Sequence, residues 1–280
     1  MKTGLLKIHL AVLLFGLAGL FAKWLPVHPI ILVFGRVFFA CISLLLILRI
    51  FKLPILLNHR KDYVILALLG AILAFHWASF FHSIQLSTIA IGLLTYSSFP
   101  LFVTFIEPLV FKEKLRFKSI LTAILAIIGI LIMVPEFDVG NQTFKAIIWG
   151  FLSALSFAIL SISNRFLAKQ YSGLQIAFYE DGFATIFLLP FLFSIPLLIT
   201  TKLILSLVIL GILFTALSHS LFIDGLKKVK AQTASIIASL EPVYGILFGL
   251  LIFSELPDLR TAIGGIIIIA SVIISSIQKN

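Results

Sequence analysis

The chain of 280 residues is 61% hydrophobic and 11% charged, and it carries a net charge of +10. This composition excludes a soluble globular domain, and the single cysteine, Cys41, excludes a disulfide framework and a thiolate metal site. Helices satisfy their own backbone hydrogen bonds in lipid, and about 20 apolar residues suffice for one crossing. The sequence therefore predicts an all-α integral membrane protein.

Ten apolar stretches follow one another along the chain, separated by short polar or charged segments. We predict ten transmembrane helices, at about 8–25, 30–50, 63–85, 88–111, 117–135, 145–168, 173–199, 203–224, 231–253 and 260–277. Only residues 86–87 separate the third span from the fourth, so these two helices are predicted to be antiparallel neighbours.

Lysine and arginine are distributed unequally between the two sets of loops. If the N-terminus is cytoplasmic, the inner segments hold 16 of the 21 basic residues, the outer segments hold 4, and Arg36 lies within a span. Because basic residues accumulate on the cytoplasmic side, both termini are predicted to lie there, in a multi-pass protein of the cytoplasmic membrane. Topology accounts for the positive charge, so no nucleic-acid partner is predicted.

An internal repeat relates the two halves of the chain. Residues 95–113 match residues 237–255 at a constant offset of 142 positions. The identical pairs are Ser97 and Ser239, Pro100 and Pro242, Leu109 and Leu251, Phe111 and Phe253, and Glu113 and Glu255. Five spans per half is an odd number, so the second half would enter the membrane upside down. We predict two inverted-topology five-helix repeats, at 1–138 and 139–280.

The ten-span plan, the inverted repeat and the matched proline and glutamate of spans four and nine resemble EamA-type members of the drug/metabolite transporter superfamily. The resemblance covers essentially the whole chain. It implies a transporter of small metabolites, often an exporter, in which spans three, four, eight and nine surround the central path. It supplies no substrate-binding signature that can be carried over residue by residue, so the site is predicted from the side chains themselves.

Charged side chains inside the spans are the first candidates for function, because each costs about 2.5–3.5 kcal/mol at the bilayer centre on insertion scales. Glu241 is the deepest acid, and it precedes Pro242, which interrupts the helical hydrogen bonds. We predict that Glu241 binds a coupling proton or a cation; the alternative is a protonated side chain that bonds a neighbouring helix. Arg36 is predicted either to neutralise a substrate carboxylate or to extend to the outer interface.

The other candidates are polar or aromatic side chains within spans. The predicted substrate-binding residues are Arg36, His76, Trp77, Tyr96, Ser98, Tyr179, Glu180, Ser218, His219 and Tyr244. Of the adjacent acids Glu180 and Asp181, the sequence leaves open which one faces the cavity. At 1.5 Å per residue, Arg36 and Glu180 each lie ~10 Å from opposite faces, so no direct salt bridge between them is expected. Serine and histidine also pack at helix interfaces, which is the structural alternative for this set.

Sequence motifs distinguish between the classes of protein that this chain could belong to. The chain contains no HExxH, no GxSxG and no Walker loop, so neither an enzyme nor an ATP-driven pump is predicted, and no cofactor or metal is expected. Arg36 favours an anionic group and the buried acids favour a cationic one. We therefore predict a secondary transporter that exports an amino acid or a related amphipathic zwitterion by alternating access, with proton coupling as a hypothesis. Its partners would be this metabolite and membrane lipid, with a homodimer left open. The alternatives are a non-transporting membrane scaffold or assembly protein, and an intramembrane enzyme.

Overall fold

The computed structural model describes residues 2–112, 117–134, 138, 140–196 and 198–277, and these residues form helices and loops without any strand. The helices are α1 (Lys2–Ala18), α2 (Phe21–Trp24), α3 (Pro29–Ile50), α4 (Arg60–Leu86), α5 (Ile89–Tyr96), α6 (Phe99–Phe111), α7 (Phe117–Met133), α8 (Gln142–Leu167), α9 (Gly173–Leu192), α10 (Thr201–Gly211), α11 (Ser218–Leu226), α12 (Ala231–Ala238), α13 (Glu241–Phe253) and α14 (Leu259–Ile277). A π-helical segment, Ile212–Leu217, joins α10 to α11 in one continuous helix.

Several of these helices are long and apolar enough to cross a membrane. Six such stretches are Lys2–Trp24, Pro29–Ile50, Arg60–Leu86, Ile89–Phe111, Gln142–Leu167 and Thr201–Leu226. Shorter apolar helices are Ile120–Met133, Glu241–Phe253 and Leu259–Ser271. Large apolar side chains cover the outside of the bundle, and Leu109 and Leu251 are 80% and 68% exposed. Such a surface is typical of helices that face lipid.

Two helical segments are broken in their middle, and their backbones have the same plan. Each bound of α12 and α13 lies 142 residues after its counterpart in α5 and α6: 89 to 231, 96 to 238, 99 to 241 and 111 to 253. Pro100 and Pro242 occupy the second position of α6 and α13, where a helix needs no N–H donor. Both helices end at a left-handed residue, Lys112 with φ 56° and Ser254 with φ 54°. The repeat seen in the sequence is therefore also present in the local backbone.

Each of the two repeated stretches ends at a glutamate, Glu113 in the first and Glu255 in the second. Glu113 lies outside the described residues. Glu255 Oε1 accepts a hydrogen bond of 2.6 Å from the backbone N–H of Ile89, the first residue of α5. A carboxylate at a helix start satisfies a free N–H group and favours the helix dipole. Glu255 thus joins the end of one broken helix to the start of the other.

Glycine allows two pairs of helices to approach closely, as the small residues of membrane helices commonly do. α1 lies against α13, where a Cβ atom on Gly16 would be 2.8 Å from the carbonyl oxygen of Glu241. α7 lies against α14, where a Cβ atom on Gly264 would be 2.5 Å from the carbonyl oxygen of Gly129. The first of these approaches brings α1 to the break before α13, at the centre of the molecule.

Candidate functional site

A small cavity lies at the centre of the bundle, and α1, α3, α4, α5, α8, α11 and α13 all contribute to its wall. The wall residues are Phe15, Ala18, Arg36, Leu73, His76, Trp77, Phe80, Tyr96, Phe157, His219 and Glu241. Its volume of ≈ 20 Å³ is enough for about one water molecule. The surrounding helices would therefore have to separate before a metabolite could enter this cavity.

Arg36 is held inside the protein and does not extend to the outer interface. Its side chain is 1% exposed, and its guanidinium lies 3.8 Å from the centre of the Trp77 ring. Nε donates to the hydroxyl of Thr215 at 2.9 Å, and Nη2 donates to the carbonyl of Phe214 at 3.1 Å. Nη1 is buried and has no hydrogen-bond partner among the described residues. One donor of this fixed cation thus remains free at the cavity.

The π-helical segment explains how Arg36 is held. A π-helical turn is wider than an α-helical turn and is often found at functional sites. Thr215 and Phe214 both lie in this segment, and the Thr215 hydroxyl donates to the carbonyl of Leu210 at 2.8 Å while it accepts from Arg36. The irregular turn therefore presents two oxygen acceptors to the guanidinium in the interior of the membrane-spanning bundle.

Glu241 is the acidic side chain among the residues of the cavity wall. It is the first residue of α13, directly after the break, and it is 3% exposed. Its Oε2 atom is buried without a hydrogen-bond partner in the described part of the chain. The positive end of the helix dipole favours a negative charge at this position. A cation and an acid with unused hydrogen-bonding atoms therefore border the same cavity.

His76 belongs to an aromatic part of the wall. Its Nδ1 atom lies 3.0 Å from the carbonyl oxygen of Ser153, to which a protonated Nδ1 donates. The ring centre is 5.5 Å from that of Tyr96 and 4.9 Å from that of Phe157. The Ser153 hydroxyl donates in turn to the backbone carbonyl of His76 at 3.1 Å. These contacts fix the ring through neutral groups and give the cavity a stacking surface.

A buried acidic cluster lies directly behind the wall at His219. The Nε2 atom of His219 is 3.1 Å from Glu180 Oε2, and its Nδ1 atom is 3.7 Å from Asp181 Oδ1. Both acids are fully buried, and Asn164 donates to Glu180 Oε2 at 3.2 Å. The imidazole lies 5.6 Å from the Trp77 ring. His219 thus contacts the acidic cluster on one side and the cavity on the other.

The structure brings six of the predicted residues to the cavity and places five elsewhere. Those in the wall are Arg36, His76, Trp77, Tyr96, His219 and Glu241. Glu180 lies behind His219, Ser98 donates to Thr95 of its own segment, Ser218 donates to Thr215, Tyr179 donates to the carbonyl of Ile55, and Tyr244 packs against Gly16. Glu180 pairs with His219, whereas Arg36 donates to Thr215 and forms no ion pair with Glu180 among the described residues.

Sequence reasoning missed several wall residues and one buried partner. Phe15, Ala18, Leu73, Phe80 and Phe157 form the apolar part of the wall. With 28 phenylalanines in the chain, nothing in the sequence distinguishes those in the wall from those that face lipid. The contact of Asn164 with Glu180 could have been anticipated in part, because an amide side chain within a predicted span needs a polar partner.

Comparison with protein-family models gives two matches in tandem. The model of the EamA-like transporter family matches residues 2–134 and again residues 144–277. A solved crystal structure superposes with a TM-score of 0.74 at 17% sequence identity, over 99% of this chain and 97% of that chain. At this identity the likeness concerns the fold alone.

Similar curated proteins are named as transporters. An uncharacterized transporter of Archaeoglobus fulgidus is 30% identical over 98% of this chain and 97% of its own length. The uncharacterized transporter YxxF of Bacillus subtilis is 23% identical, over 99% and 91% of the two chains. The pseudopaline exporter CntI of Pseudomonas aeruginosa is 25% identical, over 100% and 98%.

Proposed function

The chain belongs to the EamA-like transporter family and is a multi-pass membrane transporter rather than an enzyme, and we propose that it exports a small zwitterionic metabolite from the cell. The proposed substrate is an amino acid or a related amphipathic compound. The observation that carries this proposal is that Arg36 and Glu241 border one aromatic-lined cavity, each with a buried atom that lacks a partner among the described residues. A similar protein that is named as an exporter supports the direction.

The two charged groups suggest how a zwitterion would be oriented. Nη1 of Arg36 would donate to the carboxylate of the substrate, since its other nitrogens are already bonded to Thr215 and Phe214. Oε2 of Glu241 would accept from the ammonium group. The rings of Tyr96 and Phe157 would pack against the apolar part of the molecule. A ligand with only one of these groups would leave a buried charge unpaired, which is costly.

The proposed architecture is ten transmembrane helices in two inverted repeats, 1–138 and 139–280, with both termini on the cytoplasmic side of the cytoplasmic membrane. The tandem family matches and the constant offset between the two broken helices support this arrangement. The excess of basic residues in the inner loops supports the orientation. In inverted-repeat transporters the substrate lies near the midplane between the repeats. The cavity is bordered by Tyr96 and Glu241, which lie beside the two breaks, and this supports the same arrangement here.

Alternating access would open one side of the cavity while the other side remains shut. On the outer side, Glu255 accepts from the N–H of Ile89, and Lys23 donates to the carbonyl of Ser87 at 2.6 Å. On the inner side, Asp224 of α11 pairs with Lys7 of α1 and accepts from the backbone N–H of Gly173, the first residue of α9, at 3.3 Å. These two sets of contacts connect different helices, so they can be broken separately. We propose that they are the outer and inner closures of the transport cycle.

Proton coupling at Glu241 is part of the proposal. A proton and the ammonium group of a substrate would compete for the same carboxylate, so binding one would release the other. Such competition is the simplest way for one buried acid to link a metabolite to a proton.

The experiment that tests this function is ligand-induced thermal stabilisation of the purified protein with a panel of amino acids, monoamines and carboxylic acids. We expect zwitterions to stabilise the wild-type protein, by about 2.7 kcal/mol at a hundred times Kd. Glu241→Gln and Arg36→Gln should each weaken their binding by about 10- to 100-fold, because a charged hydrogen bond contributes about 1.5–3 kcal/mol.

Ser98→Ala is the matched control, since the Ser98 hydroxyl bonds only within its own segment in the described structure. It should leave the binding constants unchanged. Stabilisation by monoamines or carboxylic acids but not by zwitterions would contradict the proposed substrate class. Equal binding by the wild-type protein and both charge variants would exclude the proposed site.

A further inference from the structure

The acidic cluster behind the cavity contains two acids and one histidine. The proposed roles of Glu241 and of the substrate site do not account for the second acid. Glu180 and Asp181 are adjacent in the chain, both are 0% exposed, and both are directed at the single imidazole of His219. A protonated His219 offsets one carboxylate only. A second ionised carboxylate would be an isolated charge in the membrane interior, where its desolvation cost is high.

The cation nearest to the cluster does not remove this imbalance. The charge of Arg36 acts on Asp181 and Glu241 only from a distance, since Arg36 forms an ion pair with neither acid among the described residues. Its nitrogens bond to Thr215 and Phe214, and no ion pair joins it to Asp181 within the described ranges. Within the cluster itself, two carboxylates therefore face one histidine.

The remaining neighbours of the cluster contribute no positive charge. From α4, His76 is bonded through Nδ1 to the backbone carbonyl of Ser153 and forms no ion pair with an acid among the described residues. From α3, the Cys41 thiol lies beside Gly182, the residue after Asp181. From α8, the amide of Asn164 donates to Glu180. One negative charge is thus left without a partner among the described groups.

The hydrogen bonds indicate which acid carries the imbalance. Glu180 Oε2 accepts from both His219 and Asn164, which stabilises the ionised form of Glu180. Both carboxyl oxygens of Asp181 are buried and have no hydrogen-bond partner among the described residues, and the nearest His219 nitrogen is 3.7 Å away. Asp181 is therefore the acid least able to remain ionised.

We propose that Glu180, Asp181 and His219 form a proton-binding site that is separate from Glu241 and holds one proton on Asp181 while the cavity is closed. Binding converts the Asp181 carboxylate to a carboxylic acid, and His219 keeps its own proton and its pair with Glu180. Because His219 is also part of the cavity wall, the site gains access to water when the cavity opens, and the proton can leave there. Its role as a coupling proton rests on the proposed transport function, whereas its existence as a site does not.

The test is infrared spectroscopy of the full-length purified protein, in the absence of substrate, in H₂O and D₂O at neutral pH. A buried protonated carboxyl group gives a C=O stretching band that shifts in D₂O. We expect this band in the wild-type protein. In a Glu241→Gln background, which removes any band of Glu241 itself, Asp181→Asn and Glu180→Gln should each abolish it, because a single remaining carboxylate is balanced by His219. His219→Gln should increase it, because a second proton is then needed.

Glu241→Gln is the matched control and should retain the band. Two results would overturn the proposal: a wild-type protein without the band, or a band that persists in Asp181→Asn and disappears in Glu241→Gln. The use of two acid variants and one histidine variant allows a conclusion if one of them does not fold. The proposed function can fail separately, since loss of zwitterion binding would leave the infrared band unchanged, and loss of the band would leave the binding results valid.

Discussion

The two broken helices of this transporter have the same backbone arrangement but different side chains at the break. α5 and α6 have the same bounds as α12 and α13 after the offset of 142 residues, with a proline at the same position in each. The residue that opens α6 is Phe99, whereas the residue that opens α13 is Glu241. Phe99 packs on Tyr96 and Phe157, while Glu241 presents a carboxylate to the cavity. The same local fold therefore places an aromatic ring against two wall residues in one half and an ionisable group in the wall itself in the other.

The helices that precede the broken ones differ in the same way. Arg36 is the eighth residue of α3, and Glu180 is the eighth residue of α9. His76 of α4 is bonded to a backbone carbonyl, whereas His219 of α11 meets two carboxylates. The first half thus provides a fixed cation and neutral aromatic groups, and the second half provides acids. This difference in charge between the halves supports the proposal of a ligand that carries both charges.

The largest expected difference between the halves is in the two histidines. His219→Ala should lower the free energy of unfolding by about 3–5 kcal/mol at neutral pH, because it leaves buried acids without their cation. His76→Ala removes hydrogen bonds to neutral groups and should cost about 1–3 kcal/mol. Thermal unfolding of both variants in the same detergent measures the difference. Equal losses would show that the charge of His219 contributes little to stability.

A smaller effect is expected where α1 meets the second broken helix. In Gly16→Ala the new methyl group would lie 2.8 Å from the Glu241 carbonyl oxygen and 2.9 Å from the Tyr244 Cβ atom, so α1 must move away from α13. We expect a loss of about 1–3 kcal/mol, typical of overpacking. Gly19→Ala is the control on the same part of the chain, because its nearest contact would be 3.4 Å. Similar melting temperatures for the two variants would contradict the close approach.

The smallest expected effect concerns two equivalent serines, one in each half of the chain. Ser97 donates to the carbonyl of Leu93 at 2.9 Å, and Ser239 donates to the carbonyl of Ser235 at 3.1 Å, each four residues back. Ser97→Ala and Ser239→Ala should therefore change stability by the same small amount, about 1 kcal/mol or less. Calorimetric melting of the two variants gives the comparison. A large difference would mean that the two breaks are not equivalent even in their backbone contacts.

Much of the fold followed from the sequence because the membrane restricts the available structures. The helical class and the apolar stretches follow from composition, since only helices satisfy the backbone within each span. The sequence of residues 95–113 and 237–255 predicts the offset of 142 residues, and the bounds of the helices have the same offset. The breaks themselves were only indicated, because a proline at the second position of a helix and a proline in its interior look the same in a sequence.

The candidate site shows where sequence reasoning ends. The sequence identifies Arg36, Glu241 and the Glu180–Asp181 pair as candidates, because a charged side chain within a span has a high free-energy cost at any position in the span. Only the tertiary structure decided their partners: Arg36 with the π-helical segment, and both acids with His219. Partners of this kind lie on helices far apart in the chain, and helix packing alone sets those distances. For the same reason, which of 28 phenylalanines face the cavity was decided by the fold and not by the sequence.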